Sequence, residues 1–201
     1  MRLLIAIPVI HTQQDMGSLL EQIKQEYIAR FGLRKWTENL KSVDEVWDGI
    51  RQMIQTLQLP MSTVQLYQDG LPVCSREADI VGEVAASGSK NHRLLIELVG
   101  LGAQLMGTEN PELLLQEYQL LQTAMLGTQS PDDAARRKAQ RENLLRERDD
   151  FIAQRINATL VPGNIGLLFL GMAHDVEPFL EADILVRHLL PALREKQAEV
   201  K

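Results

Sequence analysis

The sequence predicts an α/β protein of three layers, with a mostly parallel sheet of about four strands and helices on both faces. Three observations lead there. Residues 2–10 (RLLIAIPVI) and 165–173 (IGLLFLGMA) are almost unbroken apolar runs rich in Ile, Leu and Val, as strands buried on both faces must be. Helical periodicities separate the apolar runs, and strands that alternate with helices form parallel sheets through right-handed crossovers. The chain has 201 residues, 45% of them hydrophobic, enough to bury a core within a single domain over 1–201.

Each element has its own signal. After the first strand, residues 17–31 place Leu19, Leu20, Ile23, Tyr27 and Ile28 on one helical stripe, with Ser18 and Glu21 spaced as a capping box. Residues 42–58 repeat the pattern with Val43, Val46, Trp47, Ile50, Ile54 and Leu57, again opened by a Ser–Glu pair, Ser42 and Glu45. Trp36 is then expected in the loop between these helices. Pro60 ends the second helix, and residues 62–70 read as a short strand closed by Asp69-Gly70.

Residues 75–160 are largely helical. Two helical pieces over 75–100 are divided at ASGSKN (86–91), and Ala103–Met106 reads as a third, short strand. Pro111 suits a first helical turn, so residues 111–126 form a helix. Residues 131–160 form a long, arginine-rich one. PGN (162–164) is a turn before the fourth strand, and residues 179–197 are expected to finish as a helix that contains His188. A further strand, if present, is expected near 75–85.

Composition narrows the function. A formal net charge of −6 argues against phosphate-backbone binding, so no nucleic-acid partner is expected. The single cysteine, Cys74, permits neither an intrachain disulfide nor a cysteine zinc site, which suits a reducing cytoplasm. No run approaches the roughly 18 apolar residues of a membrane span, so no membrane is expected as a partner.

The strand ends carry the chemistry. The four apolar runs lead into His11-Thr12, Asp69-Gly70, Thr108-Glu109 and His174-Asp175. In a parallel sheet these lie along one edge, where open α/β folds hold ligands. Imidazole and carboxylate are the ligands of zinc, manganese or iron, so His11, His174 and Asp69 are candidates for a divalent metal. Without a metal, a His–acid pair serves as base and orienter, and Glu109 joins the same catalytic set. The competing expectation is plain: loops after strands are often polar, and a histidine there commonly bonds backbone. Arg148 lies one turn before Ile152 on a buried stripe, where a guanidinium needs a partner; it is a candidate clamp for an anionic substrate group. Lys90 and His92, in a loop entering a helix, are further substrate-binding candidates, since helix N-termini attract anions.

A family resemblance runs through the same residues. ERDDFIAQRI (147–156) followed by LLFLGMAHDVEPFL (167–180) resembles the closing signature of the TraB/Tiki/ChaN-like superfamily. That signature joins an Arg-bearing helix with an Ile/Met-Ala pair, here Arg148, Ile152-Ala153 and Ile156, to a strand running into Gly-x-x-His, here Gly171 and His174. The early Gly-x-x-His of the family keeps its histidine in His11 without the glycine, and Asp69 stands where the family usually has glutamate. The resemblance covers roughly 35 residues and implies an α/β core with a metal-dependent hydrolase or peptidase-like site. The expected function is thus hydrolysis of an ester or amide in a small-molecule or peptide substrate. The alternative is a ligand-binding or sensor protein without catalysis. Trp36, Trp47 and the long charged helix are candidates for a homodimer face.

Overall fold

A computed structural model describes residues 1–10, 20–126 and 131–191. His11 and the proposed Ser18 cap lie outside the described residues. The fold is α/β with a five-stranded, wholly parallel sheet. Its strands are β1 (Arg2–Val9), β2 (Val64–Gln68), β3 (Gln104–Met106), β4 (Ile165–Gly171) and β5 (Ile184–His188), in the order β3-β2-β4-β1-β5. The helices are α1 (Leu20–Phe31), α2 (Leu33–Thr56), α3 (Glu77–Ala86), α4 (Lys90–Gly100), α5 (Pro111–Leu126) and α6 (Pro131–Thr159). No helix among the described residues is long and apolar enough to cross a membrane.

Two cores flank the sheet. On one face Ile5, Ile7, Leu66 and Phe169 pack against Trp47 and Ile50 of α2 and Leu95 of α4. On the other, Leu4, Tyr67 and Leu168 pack against Ile152, Ala153 and Ile156 of α6. The order of the strands explains this split. From β1 through β2 to β3 the chain steps one way across the sheet, and from β3 to β4 it steps back. With crossovers of constant hand, the reversal moves the helices to the opposite face. β4 sits between β2 and β1, with Val9 opposite Gly171 and Gln68 opposite Phe169. The chain leaves β1 and β2 towards the α2–α4 layer and leaves β4 towards the α6 layer, which makes the carboxyl end of β4 a topological switch point.

Four expectations are corrected. Residues 179–191 are not part of one continuous helix: a 3-10 turn at Glu177–Phe179 is followed by β5, and residues 192–197 of the expected helix lie outside the described residues. His188 therefore ends a strand, with Nε2 2.9 Å from Glu177. The fifth strand is here and not near 75–85, which α3 occupies. An Ile-Leu-Val run of helical look becomes a strand because β1 offers it an open edge, pairing Arg2 with Ile184 through Ala6 with His188. Finally, α2 begins at Leu33, so Trp36 lies inside it, buried, its ring 5.3 Å from that of Tyr27. Ser42 is mid-helix and donates to the Glu38 carbonyl at 3.1 Å instead of capping.

Candidate functional site

Asp69 follows β2 and Glu109 follows β3, so the two carboxylates reach the same sheet edge from neighbouring strands. The Asp69 amide donates to Phe169 O at 2.8 Å, which continues the β2–β4 ladder to its last rung. Glu109 is held beside it by a bridge to Pro72 and by a 2.7 Å bond from the Gly70 amide to its Oε1. Both carboxylates converge on Arg148, which α6 delivers from the face below. Its Nε and Nη2 donate to the two oxygens of Glu109, each at 2.6 Å, in a bidentate fork. Nη2 also donates to Asp69 Oδ1 at 3.0 Å, and Nη1 to Glu117 of α5 at 2.5 Å. The Arg148 and Glu109 side chains are 5% and 0% exposed, so this is an interior ion cluster.

His174 completes it. The tight turn after β4, with the His174 amide bonded to Gly171 O at 3.1 Å, folds the imidazole back over the strand end. Nδ1 lies 2.5 Å from Asp149 Oδ1, and the other Asp149 oxygen accepts the Asp175 amide at 3.0 Å. Nε2 lies 3.4 Å from Asp69 Oδ1. Gly171 lets the parts meet: its amide donates to Asp69 Oδ2 at 2.9 Å, and a Cβ there would stand 2.6 Å from that oxygen.

The electrostatics follow from this packing. Burial works against a charged imidazole, but the carboxylates of Asp149 and Asp69 outweigh it and push His174 up to about 10. Burial likewise opposes ionisation of Asp69, yet His174, and Arg148 behind it, hold its carboxyl far below the usual range. Four carboxylates, those of Asp69, Glu109, Glu117 and Asp149, thus face two cations, Arg148 and His174.

The donor set fits a divalent cation. Asp69, Glu109 and His174 each offer a ligand atom, all within 4.8 Å of one another. Asp149 fixes Nδ1, so Nε2 is the nitrogen turned to Asp69, the usual division of labour in a histidine ligand backed by a carboxylate. Two ligands on a tetrahedral ion bound at about 2.0–2.2 Å lie roughly 3.3–3.6 Å apart, and the Nε2–Oδ1 separation of 3.4 Å falls in that window.

Of the residues singled out in the sequence, Asp69, Glu109, Arg148 and His174 come together here. Lys90 and His92 do not join them. They lie in the first turn of α4, in the layer on the other face, with Lys90 Nζ 3.0 Å from Asp48 of α2 and His92 Nδ1 2.9 Å from the capping Ser89. Two members went unrecognised, Asp149 and Glu117. Both carried a signal: Asp149 precedes Ile152, Ala153 and Ile156 on one helical stripe, and Glu117 is the charge among Leu113, Leu114, Leu120 and Leu121.

No family model, no curated protein and no solved structure matches this chain.

Proposed function

We propose that the carboxyl edge at β4 is the centre of a metal-dependent hydrolase acting on an ester or amide. The observation that carries this is His174, tied through Nδ1 to Asp149 and turning Nε2 towards Asp69 beside Glu109. Zinc, manganese or iron suits such nitrogen and oxygen donors. A divalent ion held there would polarise a carbonyl and make a bound water a nucleophile near neutral pH. Asp149 orients His174, which must give up its Nε2 proton to ligate, so metal uptake releases a proton. Arg148 holds Glu109 and Asp69 in place, and Glu117 caps its Nη1 on the solvent side, so an anionic substrate group would have to displace Glu117 to reach the guanidinium. Arg148, Gly171 and His174 also carry the resemblance to the TraB/Tiki/ChaN-like superfamily, and Arg148 and Gly171 both bond Asp69 at this strand end.

Metal analysis of tag-free protein tests this. Stoichiometric metal is expected in the wild type, with affinity reduced about 10–100-fold in Asp149→Asn. Chromogenic esters and amides should be hydrolysed only by the loaded protein, and His174→Ala should abolish both properties. Protein that takes up no metal and shows no hydrolysis defeats the proposal.

The burial of the cluster favours a second reading, a ligand-binding or sensor protein, since Arg148, Asp69 and His174 have side chains at most 9% exposed. A blank activity screen together with a metabolite that raises the melting temperature supports it.

A further inference from the structure

Helix α6 is far longer than the sheet it covers. Arg148 stands at the carboxyl edge, bonded to Asp69 and Glu109, while at the other edge Arg2 donates to the carbonyls of Asn157 and Leu160. Residues 148–160 therefore span the sheet. The preceding residues of α6, 131–147, run past it for about 25 Å at 1.5 Å per residue. α5 lies against them, so the two helices form an arm beyond the sheet edge.

The arm is underpacked. In residues 132–147 Leu144 is the one buried side chain, and none is buried in residues 111–123 of α5. Yet α5 is apolar over more than half of its circumference, with Glu112, Gln116, Gln119 and Thr123 on the remaining side. Leu115 and Tyr118, one turn apart on its outer face, are 55% and 40% exposed. Tyr118 Oη accepts from Gln122 Nε2 at 2.8 Å on the same stripe. From Tyr118 to Leu126 the helix carries no charged residue, a depletion typical of an interface centre. Between the helices an open groove of about 350 Å³ is lined by Gln116, Gln119, Leu120, Gln140, Asn143 and Leu144, among others.

The charges of the arm are polarised. Its far half, residues 119–126 and 131–141, holds four basic and two acidic side chains. Its near half, residues 111–118 and 142–147, holds four acidic and one basic. In the far half the Arg137 Nη2 is buried without a hydrogen-bond partner. Glu117 is spent on Arg148 and Glu142 lies 3.7 Å from Lys138, yet the remaining charges leave the far half basic and the near half acidic, a surface complementary to itself turned end for end. A face two helices wide, about 20 Å by 25 Å, is on the order of 500 Å² in outline, a small interface beside the roughly 800 Å² per partner of a standard one, so the pairing depends on concentration.

We propose that the α5–α6 arm pairs with the same arm of a second copy of this chain, antiparallel, with Leu115 and Tyr118 at the centre and far halves against near halves. This is independent of the chemistry proposed for the strand ends.

Sedimentation of the full chain across a wide concentration range tests the pairing. The wild type is expected at twice its 22.7 kDa mass, with association weakening as salt rises. Two charge-reversed variants decide the geometry. Arg137→Glu/Arg141→Glu makes both halves acidic, and Glu142→Lys/Glu147→Lys makes both halves basic. Each alone should associate at least about tenfold more weakly than the wild type, and an equimolar mixture should recover the dimer. Leu115→Glu/Tyr118→Glu should sediment as a monomer with unchanged helical circular dichroism. The proposal is overturned by a wild type that stays monomeric. It is equally overturned by charge-reversed variants that dimerise alone, or by a mixture that does not recover.

Discussion

Among the described residues two arginines are buried, at opposite ends of the same sheet, and they are held in different ways. Arg2, at the amino edge, donates to Asp183 and Glu181 and to the carbonyls of Asn157 and Leu160, where α6 ends. Its two carboxylates are 47% and 60% exposed. Arg148, at the carboxyl edge, donates to Glu109 and Asp69, which are 0% and 9% exposed, and to the half-exposed Glu117. The bonds are alike, but the solvent is not. At Arg2 water screens the acids, and the arginine serves as a clasp that also satisfies the last carbonyls of α6. At Arg148 two of the three acids have left water, so the pairing there is much less screened, and burial pushes the Glu109 carboxyl up. Buried carboxylates beside an oriented imidazole form a group that could hold a cation, and the Arg2 end has no such imidazole.

Removing each arginine should expose the contrast. Arg148→Met leaves Glu109 buried without its cation, and the expected loss is about 3–5 kcal/mol in urea unfolding. Arg148→Lys should rescue little, because an ammonium cannot reproduce the fork to Glu109. The next effect is one of pH. His174 has its pKa raised from 6.5 to about 10 in the folded protein. Its contribution to stability is therefore full below pH 6.5, fades as pH rises, and is lost above about 10. Metal-free protein should show this decline in thermal melts from neutral to alkaline pH, and His174→Asn should lack it. The smallest change is expected at the other edge. Arg2→Met should cost about 1–2 kcal/mol, since Asp183 and Glu181 simply rehydrate. A cost at Arg2 equal to that at Arg148 would break the comparison.

Much of this site was legible one residue at a time. Asp69, Glu109 and His174 each follow an apolar run, and a strand that must be buried delivers whatever comes next to the sheet edge. Arg148 announced itself as a charge beside the Ile152–Ile156 stripe. Asp149 did not stand out because an acid on the charge-rich α6 reads as solvated until the helix's partner is known, and Glu117, alone among leucines on α5, has no partner within reach on its own helix. Lys90 and His92 show the reverse error of reach. A helix N-terminus was correctly anticipated there, but α4 carries it on the face away from Arg148, a fact of layer assignment and not of local pattern.

The sequence by itself determined the α/β class, the doubly buried β1 and β4, and the helical span that brings Arg148 to the edge. These depend on periodicity and burial, which are properties of short stretches. Only the tertiary structure decided that β4 lies between β1 and β2, that Ile184–His188 is a strand, and that Asp149 backs His174. Strand order depends on the direction of crossovers, and a five-residue apolar run takes the form its neighbour offers. The partner of a charged side chain is chosen across 25 or 39 residues of chain, as for His174 with Asp149 and Arg148 with Glu109, and no local preference reaches that far.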